Sequence, residues 1–324
     1  MEGTTSGTEG TKEISKSNPL KYDGLQFKDS IRILKLEAAL TDDAELYASF
    51  VEVKLSEGPS YEAISYTWGA PVFSETLHFQ SSRVNITESL ASALRSFRLK
   101  DRERILWADA VCINQKDDVE KGAQVAMMGD IYQRASHVLI WLGHGSPKLG
   151  HAIKGFEILA DELITSNASQ KRWDPQILDY EMNLVYDRAW FSRLWTVQEV
   201  ALAARATLFC GRHELEWPRF AAVMVLLKSH LLRTHAYMRN PETILGACSV
   251  IETRALYQLL SSSQKDASTA QLSHFNRIVE IIRSQKCTDD RDRIYGLLNL
   301  RPPGASLTIQ PDYSKPVSFV YLDY

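Results

Sequence analysis

Glu199 follows Trp195 by four residues, so on a helix the two share a face. Phe191, Leu194, Trp195, Gln198 and Leu202 draw an apolar stripe beside them. A glutamate bordering such a stripe loses part of its hydration, which pushes its carboxyl upward and suits it to stabilising positive charge or moving a proton. On spacing alone, a boundary glutamate paired with Arg193 or Arg205 explains the residue at least as well. Asp109 closes the apolar run Ile105-Leu-Trp-Ala and so ends a strand, at the edge where open α/β sheets take their ligands. Capping the backbone amides of the following loop is an equal reading. Tyr66, Thr67, Trp68 and Gly69 end a neighbouring run, Tyr61–Tyr66, at the same edge. Trp68 there can stack on a flat ligand or fill core, and Gly69 allows close backbone approach. Asn114 and Gln115 carry both donors and acceptors, suited to hydroxyl or amide recognition or to turn formation. Arg193 fits a pyrophosphate, although helical spacing turns it off the Trp195 face.

The elements that must hold these residues follow from periodicity. Residues 31–36 and 51–55 read as a β-hairpin, and 77–79 with 84–86 as a second. Thr87 is an N-cap for a helix through Leu90, Ala91, Leu94 and Phe97. Runs at 61–66, 105–109 and 137–142 read as buried strands, with a helix over 120–135 carrying Gln124, Met127, Met128, Ile131 and Tyr132 on one face. Strands alternating with helices predict a parallel sheet with crossovers. Helices follow at 151–165, 188–204, 217–231, 242–262, 272–285 and 290–298, with a strand at 206–210 and loops at 166–175 and 261–267. Residues 1–26 read as a flexible polar tail, with order beginning near Ser30. The final residues, Asp312–Tyr324, read as the start of another helix, as in a piece of a longer protein. The predicted organisation is tail 1–26, α/β core 27–215, and a mostly helical extension 216–324 packed on it.

Composition excludes several classes. Over 324 residues, 37 Lys and Arg against 40 Asp and Glu leave a net charge of −3, with no strong nucleic-acid signal. The longest apolar run, Phe220–Leu227, falls far short of the roughly 18 residues of a membrane span. Met1–Asn18 lacks the apolar stretch of a secretory signal. The 4 cysteines are scattered without a CxxC pair, which reads as reduced thiols of a cytoplasmic protein, with no metal site. P-loop, HExxH and GxSxG motifs are absent, and Gly143-His-Gly145 lacks the third glycine of a dinucleotide fingerprint.

Three segments are too specific to be generic: Tyr61-Glu-Ala-Ile-Ser-Tyr-Thr-Trp-Gly69, Leu106-Trp-Ala-Asp-Ala-Val-Cys-Ile-Asn-Gln115 continuing to Trp141-Leu-Gly143, and Arg188-Ala-Trp-Phe-Ser-Arg-Leu-Trp-Thr-Val-Gln-Glu199. Together they resemble the fungal heterokaryon-incompatibility (HET) domain, and Asp289-Asp-Arg-Asp-Arg-Ile-Tyr-Gly-Leu-Leu298 is similar to that family's more C-terminal segment. The resemblance covers about 60–320 and implies a protein of fungal non-self recognition and programmed cell death. Asp289, Arg291, Asp292 and Arg293 in the last segment read as a salt-bridge cluster docking the C-terminal helices.

A weaker resemblance is to TIR domains. Tyr61–Gly69 is similar to their first strand and loop, Trp107–Asp109 with the polar loop after it to their second strand and BB loop, and Trp195-Thr-Val-Gln-Glu199 to their Trp-Cys-x-x-Glu stretch. The chain departs from that pattern at Thr196, at Trp68 and in the longer segment 143–187. This resemblance implies a TIR-like (flavodoxin-like) parallel sheet flanked by helices, with N-terminal β-hairpin additions and a helical C-terminal region. It also implies hydrolysis of the nicotinamide–ribose bond of NAD+, with NAD+ or a related nucleotide as substrate rather than cofactor. Glu199 would be catalytic, with Ser65, Tyr66, Thr67, Trp68, Gly69, Asp109, Asn114, Gln115, Arg193 and Trp195 around the substrate, and the active form a homo-oligomer. The rival expectation is a non-enzymatic, self-associating signalling module that recruits partners, among them an incompatibility partner protein.

Overall fold

The computed structural model describes residues 18–165, 182–234, 241–262, 269–301 and 309–323. In chain order its strands are β1 (Asn18–Pro19), β2 (Ser30–Leu36), β3 (Leu46–Lys54), β4 (Glu62–Tyr66), β5 (Glu75–Phe79), β6 (Ser82–Ile86), β7 (Arg104–Trp107), β8 (His137–Trp141), β9 (Ala206–Cys210) and β10 (His213–Glu216). The helical elements are α1 (Glu88–Phe97), α2 (Asp109–Cys112), α3 (Asp118–Arg134), α4 (Pro147–Thr165), α5 (Leu194–Ala201), α6 (Trp217–Thr234), α7 (Pro241–Ser262), α8 (Thr269–Ile282), α9 (Asp292–Tyr295) and α10 (Val317–Asp323).

One sheet carries all ten strands, in the order β1-β6-β5-β3-β2-β7-β4-β8-β9-β10. Its centre, β7-β4-β8-β9, is parallel throughout. Numbered by sequence, those four strands lie 2-1-3-4, the start of a doubly wound order in which the connection changes sides between the first and third strands. Each is a nearly unbroken apolar run, as burial on both faces requires. Arg104 on β7 clamps Glu62 on β4 through two hydrogen bonds of 2.5 and 2.9 Å. Burial alone would raise the Glu62 carboxyl, but Arg104 and His137 outweigh it and hold the group down at about 2. The antiparallel pairs β2–β3 and β5–β6 extend one side of the sheet, as the two hairpins read from sequence.

Helix starts follow their caps. The Thr87 hydroxyl accepts from the Leu90 N–H, and Asp117 accepts from the amides of Val119 and Glu120 at the head of α3. The buried face of α3 includes Gln124, Met128, Ile131 and Tyr132 as expected, but also Gly122 and Gly129. These two glycines, seven residues apart, admit other parts of the chain: a Cβ at Gly122 would stand 2.5 Å from the Pro311 carbonyl oxygen, and one at Gly129 would collide with the Asn299 side chain. α3 is thus the bed on which the C-terminal segment lies. Beyond the sheet, α7 packs against α5, α6 and α8.

Four expectations change. The helix read over 188–204 is broken: Ala189–Ser192 is a 3-10 turn, Arg193 is extended, and α5 begins at Leu194. The cause is remote, since Lys286 takes the Ser192 carbonyl (2.6 Å) and gives its own carbonyl to the Leu194 amide (2.9 Å). The helix read over 290–298 is two short turns, α9 and Leu298–Leu300, separated at Gly296 and Leu297. β10, unread from sequence, is an edge strand whose single buried side chain is Leu215. Order also begins earlier than Ser30. β1 pairs with β6, and the Tyr22 hydroxyl donates to the Val111 carbonyl (3.0 Å). The loop read at 166–175 lies outside the described residues; of the one read at 261–267, Ser261 and Ser262 finish α7 and the rest lies outside them.

Alanine at Gly129 gains up to about 1 kcal/mol of helix propensity but overpacks against Asn299, a fault that typically costs about 1–3 kcal/mol. Urea denaturation is expected to show Gly129→Ala losing about 1 kcal/mol net. Gly24→Ala, where a new Cβ meets nothing within 4 Å, should stay within about 0.5 kcal/mol of the parent.

Candidate functional site

Glu199 lies in the last turn of α5 and is 3% exposed. Its carboxylate accepts from the hydroxyl of Ser65, on β4 and fully buried. The direction of that bond is fixed from behind. The Trp190 indole N–H reaches the Ser65 oxygen at 2.8 Å, and an indole nitrogen can only donate. Ser65 must therefore accept from Trp190 and turn its own proton to Glu199. Trp190 sits in the 3-10 turn before α5, so the break in the helix delivers both ends of this relay.

The rest of the site stands at the ends of β4 and β7. β4 finishes at Tyr66, whose carbonyl accepts from the Arg193 guanidinium. Helical spacing had turned Arg193 away, but the residue is extended, and that swings its side chain back onto the strand end. β7 finishes at Trp107, and Asp109 opens the short turn α2 rather than closing the strand. The Asp109 carboxylate accepts from the Ala110 amide at 2.8 Å and from the Trp68 indole at 2.9 Å. It is thus both a cap and a site group, and Trp68 is half-buried at the rim. The Tyr66 hydroxyl is buried beside Asp109 without a well-formed hydrogen bond.

Electrostatics follow burial. Desolvation pushes the Glu199 carboxyl up to about 7; Arg193 and the Ser65 hydrogen bond pull against it, and the Asp109 charge adds to the rise. Asp109 is raised for the same first reason, with Arg193, Trp68 and Ala110 opposing. Burial raises the Tyr66 and Tyr132 hydroxyls, and the nearby carboxylates add to it, so both stay protonated. Two carboxylates with shifted affinities, one Arg, one buried phenol and one indole therefore share the carboxyl edge of a parallel sheet. That set can stabilise a cationic centre and hold a hydroxylated, aromatic ligand.

Of the residues read from sequence, Ser65, Tyr66, Trp68, Asp109, Arg193 and Glu199 come together. Gln115 supports them from behind, its amide donating to the Asp109 carbonyl (2.8 Å). Thr67 offers its carbonyl to Ser89 (2.6 Å), and Asn114 shapes the loop before α3, its amide donating to Glu120 (2.7 Å). Gly69 meets nothing within 4 Å on its Cβ side; a φ of +73° is what asks for glycine there. Trp195 turns to Asp292 (3.0 Å) instead of the strand ends. Arg205 pairs with Glu216 (2.7 Å), which leaves Arg193 as the cation acting on Glu199. Sequence reasoning gave Trp190 no part in the site. Trp190 stands within the third HET-like segment, and a tryptophan just ahead of a buried glutamate was the available signal. Elsewhere, burial holds the thiols of Cys112 and Cys210 at about 12 and that of Cys248 at about 11, unreactive core groups. Among the described residues no three His, Cys, Asp or Glu side chains converge as a metal site, and no helix is long and apolar enough to cross a membrane.

This combination, a parallel strand centre with two carboxylates and an indole near its strand ends, lies in the region that comparison with known proteins also identifies. Residues 61–199 match the family described as heterokaryon incompatibility protein (HET), a span that opens at Tyr61 and closes on Glu199. Over that span the chain is similar to a HET domain. It is 26% identical over 362 aligned positions to heterokaryon incompatibility protein 6, OR allele, of Neurospora crassa. That alignment covers 94% of this chain and 52% of the relative, so the chain spans about half the length of the curated protein it matches. No solved structure matches it.

A carboxyl held at about 7 in the fold and 4.5 outside it binds its proton more tightly when folded. Its stabilising share is present below pH 4.5 and is lost as pH rises through about 7, a swing of about 3 kcal/mol at most. Glu199→Gln should therefore match the parent in urea denaturation at pH 4 and exceed it at pH 8. Equal stabilities at pH 8 would show that the carboxylate is not desolvated.

Proposed function

We propose that this chain is a cytoplasmic cell-death effector of fungal non-self recognition, and that its TIR-like (flavodoxin-like) domain hydrolyses the nicotinamide–ribose bond of NAD+ or a close nucleotide relative. The biological half of the reading is supported by the HET match and by the name of the Neurospora crassa relative. The chemical half rests on one observation: a buried glutamate poised near 7, at the carboxyl ends of strands ordered 2-1-3-4, within a site that also holds an Arg, an aspartate and an indole.

The reaction asks little of general acids. The bond between C1′ of the ribose and the nicotinamide nitrogen breaks, and its electron pair neutralises the pyridinium, so the base leaves without a proton. Positive charge builds on C1′ and the ring oxygen, where a carboxylate stabilises it. Water then adds to C1′ and gives up a proton. Ionised Glu199 is the residue for that stabilisation, held in one pose by Ser65 and Trp190. Trp68, with its N–H tied to Asp109, offers a face for stacking, and spare donors of Arg193 suit the pyrophosphate. Self-association is part of the proposal.

One observation favours the non-enzymatic alternative. Glu199 is 3% exposed and already hydrogen-bonded inside the protein, as a purely structural acceptor would be. A signalling module that acts by recruiting partners would need no more than that.

Nicotinamide release from NAD+ by the purified chain, over a series of protein concentrations, separates the two. The expected result is turnover that rises steeply with concentration, climbs with pH through about 7 to a plateau, and falls at least about 100-fold in Glu199→Gln. Trp68→Ala should raise KM more than it lowers kcat. A folded wild type without turnover at any concentration, or a Glu199→Gln variant as active as the parent, would leave the signalling module.

A further inference from the structure

The segment that follows the last long helix does more than cover the core. Asp292, on α9, is buried, and each of its carboxylate oxygens receives one neutral donor: the Trp195 indole N–H on Oδ2 at 3.0 Å and the Tyr313 hydroxyl on Oδ1 at 2.8 Å. Trp195 belongs to the first turn of α5, one turn before Glu199. Tyr313 belongs to the strap at 309–315. The strap is itself fastened down: Arg291, paired with Asp289 at 2.6 Å, donates to the carbonyls of Tyr313 (2.5 Å) and Lys315 (2.9 Å). The Tyr295 hydroxyl bridges the Asp312 amide and carbonyl at 3.0 Å each, and Lys121 of α3 lies 3.9 Å over the Tyr313 ring. Beside this, Gly296 lets α9 close on Leu194, where an added Cβ would stand 3.2 Å from the leucine.

We propose that Asp292 is a positioning residue for Glu199: its carboxylate joins the indole of α5 to the phenol of the strap, and so fixes the rotation of the helix that presents Glu199 to the strand ends. This rests on the reading of Glu199 as the working carboxylate. The chemistry explains why an acid stands here rather than an amide. Both partners donate, and a carboxylate has an acceptor for each, whereas asparagine turns an NH2 group toward one of them. Asp292 is not a member of the salt-bridge cluster predicted for 289–293. Arg291 pairs with Asp289 and Arg293 with Asp290, which leaves the Asp292 carboxylate to the two aromatic donors.

The test uses the whole chain with Asp292→Asn, which keeps the volume, and Tyr313→Phe, which keeps the ring. Amide hydrogen exchange is followed over 194–201, with the β8 peptide 137–141 as internal reference, and the Trp195 indole N–H is followed by nitrogen-labelled NMR. The expected result is exchange at least tenfold faster in α5 with β8 unchanged, a displaced Trp195 resonance, and nicotinamide release with kcat down about tenfold while KM stays within twofold. Unchanged α5 exchange in both folded variants overturns the proposal. So does loosening spread equally over α5 and β8, which marks a general stabiliser, or an unchanged kcat despite a loosened α5. If the wild type releases no nicotinamide, the NAD+ reading fails by itself. The positioning of α5 is then decided on exchange alone, with α5-specific loosening in its favour.

Discussion

The hydrogen bond from Ser65 to Glu199 joins residues 134 positions apart in sequence, and most of the molecule is arranged around it. A carboxylate taken out of water must be given donors or neutralised. This one receives a single hydroxyl, aimed by an indole that can only donate, and a guanidinium acting as a charge without a hydrogen bond. Those partners come from β4, the turn before α5 and the extended residue at 193. Each must be right for the others to matter. A β4 shifted by one residue would send Ser65 to the opposite face of the sheet. A continuous helix through 193 would carry Arg193 away from the strand end.

That second requirement explains why the C-terminal third belongs to the site. The chain is extended at Arg193 because Lys286 occupies the backbone on either side of it. The Thr196 hydroxyl stands 3.0 and 2.8 Å from the carbonyls of Trp190 and Arg193 and shares its one proton between them, a contact that alanine could not make. α5 is then held at its first turn by Asp292 and at its last by Arg254, which donates to the Val200 carbonyl. An eight-residue helix is too short to be stable in isolation, so its pose is set by these tertiary ties.

What could be read from sequence divides along the same line. The four central strands, α1, α3, both hairpins and the long helices α6 and α7 were legible, because burial on one or both faces imposes a period on the residues themselves. Tyr66, Trp68 and Asp109 were legible as chemistry near strand ends, and Glu199 as a helix residue beside a buried stripe. The break at 193 was not, because its cause sits 93 residues away, and helical spacing then misplaced Arg193. Trp195 was read toward the site because Glu199 shares its face. One turn along a helix is enough to change neighbours, and Trp195 meets α9 where Glu199 meets β4. β10 escaped because a polar edge strand carries one buried residue and no alternation to find. Gly122 and Gly129 fell inside the predicted helix without a role, since only the remote neighbours they admit, Pro311 and Asn299, explain them.

The nature of residue 199 bears on what the domain is for. If the Ser65 hydroxyl needed only an acceptor, a glutamine oxygen would supply one with the same reach and without a charge to desolvate. The glutamate instead costs stability at neutral pH, in proportion to how far its carboxyl is raised. Arg193 and the Ser65 hydrogen bond offset only part of that burden, and Trp190 with Ser65 also orients the group. A costly charge that is oriented rather than neutralised belongs with sites where charge is used, and stability given up at one residue for activity is a recurrent pattern in enzymes. The rest of the edge agrees with this. Asp109 is also raised, also hydrogen-bonded by neutral donors, and stands with a buried phenol whose hydroxyl lacks a well-formed partner. The Tyr66 phenol faces the Asp109 carboxylate from the end of β4, so the two acids, the phenol and Arg193 form one polar cluster at the strand ends.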